Sequence, residues 1–171
     1  MRIFPVLALS GLTVLSGCSS STMNSSTGAD RKQLMLVSSA EINQASAKSY
    51  QQTLVEANQK GLLNPNAAQL QRIQRIANRL IPQVNIYNPS AKAWSWQVNM
   101  LKSDELNAYC SPGGKIMFYT GIIDRLNLTD DEIAAIMGHE MAHALREHGR
   151  ERASRSGATQ LGLSVLASAA G

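Results

Sequence analysis

A chain of 171 residues is long enough for one domain with a real core. Its formal charge of +4 comes from 16 basic and 12 acidic residues spread without a long basic block. That gives little support to nucleic-acid binding and leaves only weak attraction to anionic surfaces. No apolar run in the sequence is long enough to cross a bilayer comfortably as a helix, and there is no internal repeat.

The N-terminus reads as an address and an anchor. Met1-Arg2 is a short basic start, Ile3 to Leu15 is mostly apolar, and Leu15-Ser16-Gly17-Cys18 resembles the lipobox of bacterial lipoproteins. That resemblance implies a signal peptide over residues 1–17, cleavage before Cys18, and lipidation of its sulfur and new amine. An ordinary secretory signal or a short buried helix is the competing reading. Several acyl chains make a stable anchor, since each buried methylene contributes about 0.8 kcal/mol. Ser19 is not the aspartate associated with inner-membrane retention, so the resemblance implies the outer membrane, with the protein lipid-anchored on its periplasmic face. Residues 18–40 are then a lipidated cysteine and a flexible tether, with Ser19 to Gly28 rich in serine and threonine. With Cys18 acylated, Cys110 has no internal disulfide partner and reads as a packed thiol.

Glu41 to Lys60 reads as a helix stopped by Gly61, with a thin apolar face of Ile42, Tyr50, Leu54 and Ala57. Asn64-Pro65 reads as the start of a second helix, because proline is tolerated in the first turn. Leu70, Ile73, Ile76, Ala77 and Leu80 continue it at helical spacing until Pro82, with Arg72, Arg75 and Arg79 on a solvated face. Trp94 to Leu101 alternates as a half-buried strand, with Trp94, Trp96, Val98 and Met100 on one side. Ser111-Pro112-Gly113-Gly114 is a turn, Lys115 to Thr120 a second strand, and Gly121 a bend leading to Ile122-Ile123. The aromatic residues of this region read as core rather than as a binding platform.

Thr129 with Glu132 three residues on is a capping box, and Asp130 and Asp131 suit the positive start of a helix. Ile133, Ile136, Met137, Ala144 and Leu145 form its apolar stripe, and Arg146, Arg150 and Arg152 lie toward its far end. Inside it stands His139-Glu140-Met141-Ala142-His143. Residues four apart lie one turn apart on one helix face, so the two imidazoles can grip one metal ion with Glu140 beside it. This is the zinc-hydrolase signature HExxH, in which the glutamate handles the proton of the hydrolytic water. Gly138 costs helix stability relative to alanine, for which close packing or room for a neighbouring strand would be the reason. On a continuous helix His148 lies about 140° around from His143 and points away from the metal face, as a helix-end or surface residue. Glu147 and Glu151 follow on the same helix, and one straight helix does not wrap three ligands around an ion. A catalytic zinc needs three protein ligands, and no convincing third donor stands upstream.

An ordered series carries a resemblance to a family. It runs Asn107-Ala108-Tyr109, Pro112-Gly113-Gly114-Lys115-Ile116, Tyr119-Thr120-Gly121-Ile122-Ile123, Asp130-Asp131-Glu132, and Gly138 to His143. Over about Gln69 to Gly149 it is similar to the M48 peptidases, and with the lipobox to their periplasmic lipoprotein branch. The resemblance implies an α+β, zincin-like fold, mostly helical, with a small sheet packed beside the HExxH helix. It implies one Zn2+ per chain, His139 and His143 as ligands, and Glu140 as general base. The family's third ligand is a glutamate on a later helix, so residues 41–171 would be the N-terminal part of the peptidase domain, with that ligand beyond Gly171. A chain lacking it would hold zinc weakly and show little activity. Asn107 and Ala108 match the family's edge strand beside the cleft and are candidate substrate contacts. The implied activity is zinc-dependent endopeptidase action on misfolded or misassembled proteins of the bacterial envelope. The implied partners are polypeptide substrates, the membrane through the lipid anchor, and envelope assembly proteins, without nucleic acid. The alternative is a non-enzymatic chaperone or assembly lipoprotein that retains the fold, and a weaker one is a structural lipoprotein with a chance motif.

Overall fold

A computed structural model describes residues 19–20 and 32–169, with side chains from 32 to 160. The expected signal peptide, Cys18 and most of the serine-rich segment lie outside the described residues.

Strand β1 (Ser19–Ser20) pairs antiparallel with β2 (Gln33–Leu34). Gln33 and Met35 are buried, so the segment expected as the end of a flexible tether is instead packed against the domain. Helix α1 (Ser39–Gln59) opens with a capping box that begins just before the expected start. The Ser38 hydroxyl accepts from Glu41 N at 3.2 Å and the Glu41 carboxylate accepts from Ser38 N at 2.9 Å. These bonds hold the Glu41 carboxyl below its ordinary value. Tyr50 and Ala57 are the buried residues of its apolar face.

Helix α2 (Ala67–Leu80) is capped by Asn66, whose side chain accepts from Gln69 N at 3.1 Å, and not by the earlier Asn64-Pro65 pair. Asn64 is drawn to the sheet. It donates to Met100 O at 2.8 Å and accepts from Met100 N at 2.7 Å through its side chain. Beyond Leu80 the chain makes 3-10 turns over Ile81–Ile86, with Pro82 in the first turn, and over Pro89–Ala93. These hold Trp94 and Trp96, whose indole donates to Ala91 O at 3.0 Å. The regular strand therefore begins only at Gln97 and not at Trp94.

Strands β3 (Gln97–Leu101), β4 (Ala108–Ser111) and β5 (Lys115–Tyr119) form a sheet in the order β3-β5-β4. The central β5 is parallel to β3 and antiparallel to β4, with Met100 opposite Phe118 and Cys110 opposite Ile116. A central strand loses solvent on both faces, and Lys115, Ile116, Met117 and Phe118 are all buried. Lys115 is tolerated there because its Nζ donates to Ser95 O, and burial lowers its pKa.

The bend expected at Gly121 is a short helix, α3 (Thr120–Leu126). A Cβ at Gly121 would stand 2.5 Å from the Asp104 carbonyl oxygen, and Gly121 N donates to Ser103 O at 2.7 Å, so two backbone segments touch where no side chain fits. Helix α4 (Asp130–Leu145) begins at the expected capping box of Thr129 and Glu132. It buries Ile133, Met137, Met141, Ala144 and Leu145 against Ile73, Ile76 and Ala77 of α2 and against the sheet. Arg72 is not merely solvated: its guanidinium pairs with Asp130 at 2.5 Å and donates to Leu128 O at 2.7 Å, joining α2 to the start of α4.

Helix α4 stops at Leu145 rather than continuing through Arg152 as helical spacing predicts. Asn88 donates to Leu145 O at 3.0 Å, Arg146 ends the helical dihedrals, and Glu147 takes a left-handed φ of 52°. Such a φ costs a non-glycine residue about 1–2 kcal/mol and turns the chain sharply. Helix α5 (His148–Ala169) then starts in a new direction. Among the described residues no helix is long and apolar enough to cross a membrane.

Candidate metal centre

Helix α4 is a rigid carrier because its start is capped and its inner face is buried, while His139 and His143 on the other side are exposed. Their ring centroids are 4.6 Å apart and their Nε2 atoms 3.1 Å apart. Two donors at about 2.05 Å from a tetrahedral zinc stand about 3.3 Å apart. The pair therefore fits one ion with little rearrangement, and its exposure suits an open coordination position. Gly138, just before it, has nothing within 4 Å of a Cβ placed there, so close packing among the described residues is not its reason.

Glu140 is half-buried and follows His139 directly on α4. Helix α4 packs on β4, and the Glu140 charge reaches Cys110 there. Burial, reinforced by the Glu140 carboxylate, pushes the Cys110 thiol up to about 12. The cysteine is buried and free, and at neutral pH it is a thiol rather than a nucleophile or metal ligand.

Strand β4 lies at the sheet's edge and packs on α4. Ala108 faces Phe118 across the ladder, and Tyr119 N donates to Asn107 O at 3.1 Å. Antiparallel ladders alternate, so Asn107 and Tyr109 spend their peptide groups on β5, while those of Ala108 and Cys110 face the outer edge. The two candidate substrate contacts thus separate. Ala108 buries its methyl and offers its backbone, whereas Asn107 has its main-chain carbonyl engaged and offers an exposed side chain.

His148 does not point away from the motif. The break at Glu147 brings its Nδ1 to 2.7 Å from Nδ1 of His143, with ring centroids 4.9 Å apart. That separation is a hydrogen bond, and it is too short for two donors of one tetrahedral ion. The sequence around the motif does not signal the break: Gly149 is the second residue of α5, where a Cβ would stand 3.2 Å from the Pro112 side chain. Glu147 and Glu151 are buried and engaged with Ser39, Arg150, Gln33 and Arg155. Among the described residues no three His, Cys, Asp or Glu side chains are placed to hold a metal together. An open groove of ≈ 940 Å³ runs from His143 and His148 along α5, lined also by Glu151, Arg155 and Thr159.

Comparison with known proteins adds to this geometry. The family model described as peptidase family M48 matches residues 67–171. Metalloprotease LoiP of Escherichia coli (strain K12) is 32% identical over 146 residues, 84% of this chain and 53% of LoiP. Metalloprotease YcaL of the same strain is 25% identical over 103 residues, 56% of this chain and 40% of YcaL. The mitochondrial metalloendopeptidase OMA1 of Arabidopsis thaliana is 39% identical over 57 residues, 33% of this chain and 12% of OMA1. The chain thus spans about half the length of LoiP and less of the others. No solved structure matches it.

Proposed function

Since the chain belongs to peptidase family M48, we propose that the protein is a zinc-dependent endopeptidase of the bacterial cell envelope, acting on misfolded or misassembled polypeptides. The observation that carries this reading is the pair of Nε2 atoms 3.1 Å apart on His139 and His143, with Glu140 next to His139 on the same helix and the edge strand β4 packed against that helix. His139 and His143 would hold the zinc. When bound, zinc supplies Lewis-acid polarisation of the scissile carbonyl and makes a water far more acidic. The chain's own residues do the rest. The outward peptide groups of Ala108 align an extended substrate as an added strand. Glu140 takes a proton from the attacking water and gives it to the departing nitrogen. No serine or cysteine nucleophile is needed, in keeping with the buried, protonated Cys110.

The test is cleavage of unfolded casein by the intact protein. Chelation is expected to abolish it and zinc to restore it, whereas chelator-insensitive cleavage would remove the metal from the mechanism. A protein that prevents aggregation of unfolded clients yet cleaves none would favour the chaperone alternative.

For location, we propose that Cys18 is acylated and holds the protein at the periplasmic face of the outer membrane. The support is the run Leu15-Ser16-Gly17-Cys18 after a basic, apolar leader. Cys18→Ser is expected to move the protein from the membrane fraction to the soluble periplasmic fraction. A variant that stays with the membrane would show that something other than this lipid holds it.

A further inference from the structure

The contact between His143 and His148 arises from a backbone break, not from helix periodicity. On a straight helix the two rings would lie about 140° apart. They meet because Glu147 takes φ 52° and restarts the chain as α5. A non-glycine residue keeps such a conformation only where its surroundings over-determine it. Here the packed segment ahead of α1 does so. Glu147 accepts from Ser39 Oγ at 2.6 Å and from Arg150 Nη1 at 3.0 Å. Arg150 Nε donates to Val37 O at 2.6 Å, and Gln33 Nε2 donates to Arg146 O at 2.9 Å. On the next turn of α5, Ser154 Oγ accepts from Leu36 N at 2.9 Å and from Val37 N at 3.1 Å. His148 therefore sits in a turn clamped on both sides.

A neutral imidazole has one donor and one acceptor nitrogen. With Nε2 of His143 turned to His139 at 3.1 Å, its Nδ1 is the atom 2.7 Å from His148. For Nε2 to offer a lone pair to a metal, Nδ1 must carry the ring proton and give it to an acceptor. Metal-bound histidines generally make such an outer bond, and it fixes ring orientation and tautomer. We propose that His148 is the positioning residue of the metal centre: its Nδ1 accepts from Nδ1–H of His143, locking that ring with Nε2 free for zinc, and the clamped turn at Glu147 holds it there. This rests on the zinc reading above.

The experiment is a zinc dissociation constant, measured by chelator competition on the intact protein, for wild type, His148→Leu and His148→Asn. Leucine keeps bulk without an acceptor. Asparagine carries Oδ1 on Cγ, as histidine carries Nδ1, and so keeps the acceptor near its place. His148→Leu is expected to weaken zinc binding by about 10–100-fold, and His148→Asn to restore most of the loss. Thermal unfolding of the metal-free proteins shows whether each variant folds. Leucine binding as tightly as wild type would overturn the proposal. Leucine and asparagine weakened equally would also overturn it, since position 148 would then matter only for packing. Wild-type protein that takes up no zinc would sink the metal reading itself, an outcome distinct from these.

Discussion

Glu140→Gln is expected to lower kcat for peptide cleavage by about 10²–10⁴-fold while leaving zinc uptake and KM near their wild-type values. Glutamine has the shape of glutamate but no basic oxygen, so what disappears is proton transfer and not packing. The geometry favours a kcat effect because Glu140 is not one of the paired donors: the 3.1 Å contact belongs to His139 and His143. The Glu140 charge bears on Cys110 of β4, the edge strand with which a strand-like substrate would pair at Ala108. A base near both the ion site and the substrate edge would reach the water and the leaving nitrogen alike. Glu140→Gln retaining more than a tenth of wild-type turnover would remove it as the base. A variant that also lost zinc would show that its role is to hold the ion.

What was legible in the sequence was local. The capping box at Thr129 and Glu132 lies within four residues of chain, and it set the start of α4 correctly. Helical spacing then put His139 and His143 on one face without further information. The end of the same helix was not legible. The bonds that hold Glu147 left-handed come from Gln33, Val37 and Ser39, more than 100 residues earlier. No window around the motif contains them, and without them Glu147 and His148 read as two more helical positions. The same cause explains Arg72, whose partner Asp130 is 58 residues away, and Asn64, which pairs with Met100 across 36. The α+β architecture and the edge position of β4 came from the family resemblance. Periodicity by itself gave β3 too early a start, because Trp94 and Trp96 alternate like a strand but are packed by the 3-10 turn at Ala91.

Zinc is expected to raise the melting temperature of the intact protein, and His139→Ala is expected to cancel that rise. A ligand at 100 times its dissociation constant adds about 2.7 kcal/mol to folding stability, or about 5–10 °C for a chain of this size. His139→Ala isolates the metal contribution better than His143→Ala does. Both residues are exposed, but His143 also holds the 2.7 Å contact with His148, so its removal disturbs the metal-free fold as well. Removing a direct donor must also weaken zinc binding by more than the loss of an outer partner, which costs about 10–100-fold. The order His139→Ala below His148→Leu below wild type is therefore demanded by the geometry. A zinc-induced shift that survives His139→Ala would place the ion elsewhere, and the His143 and His148 pair is the neighbouring alternative. Their Nδ1 atoms would then have to part from 2.7 Å toward about 3.3 Å, breaking the hydrogen bond and pulling against the clamp at Glu147.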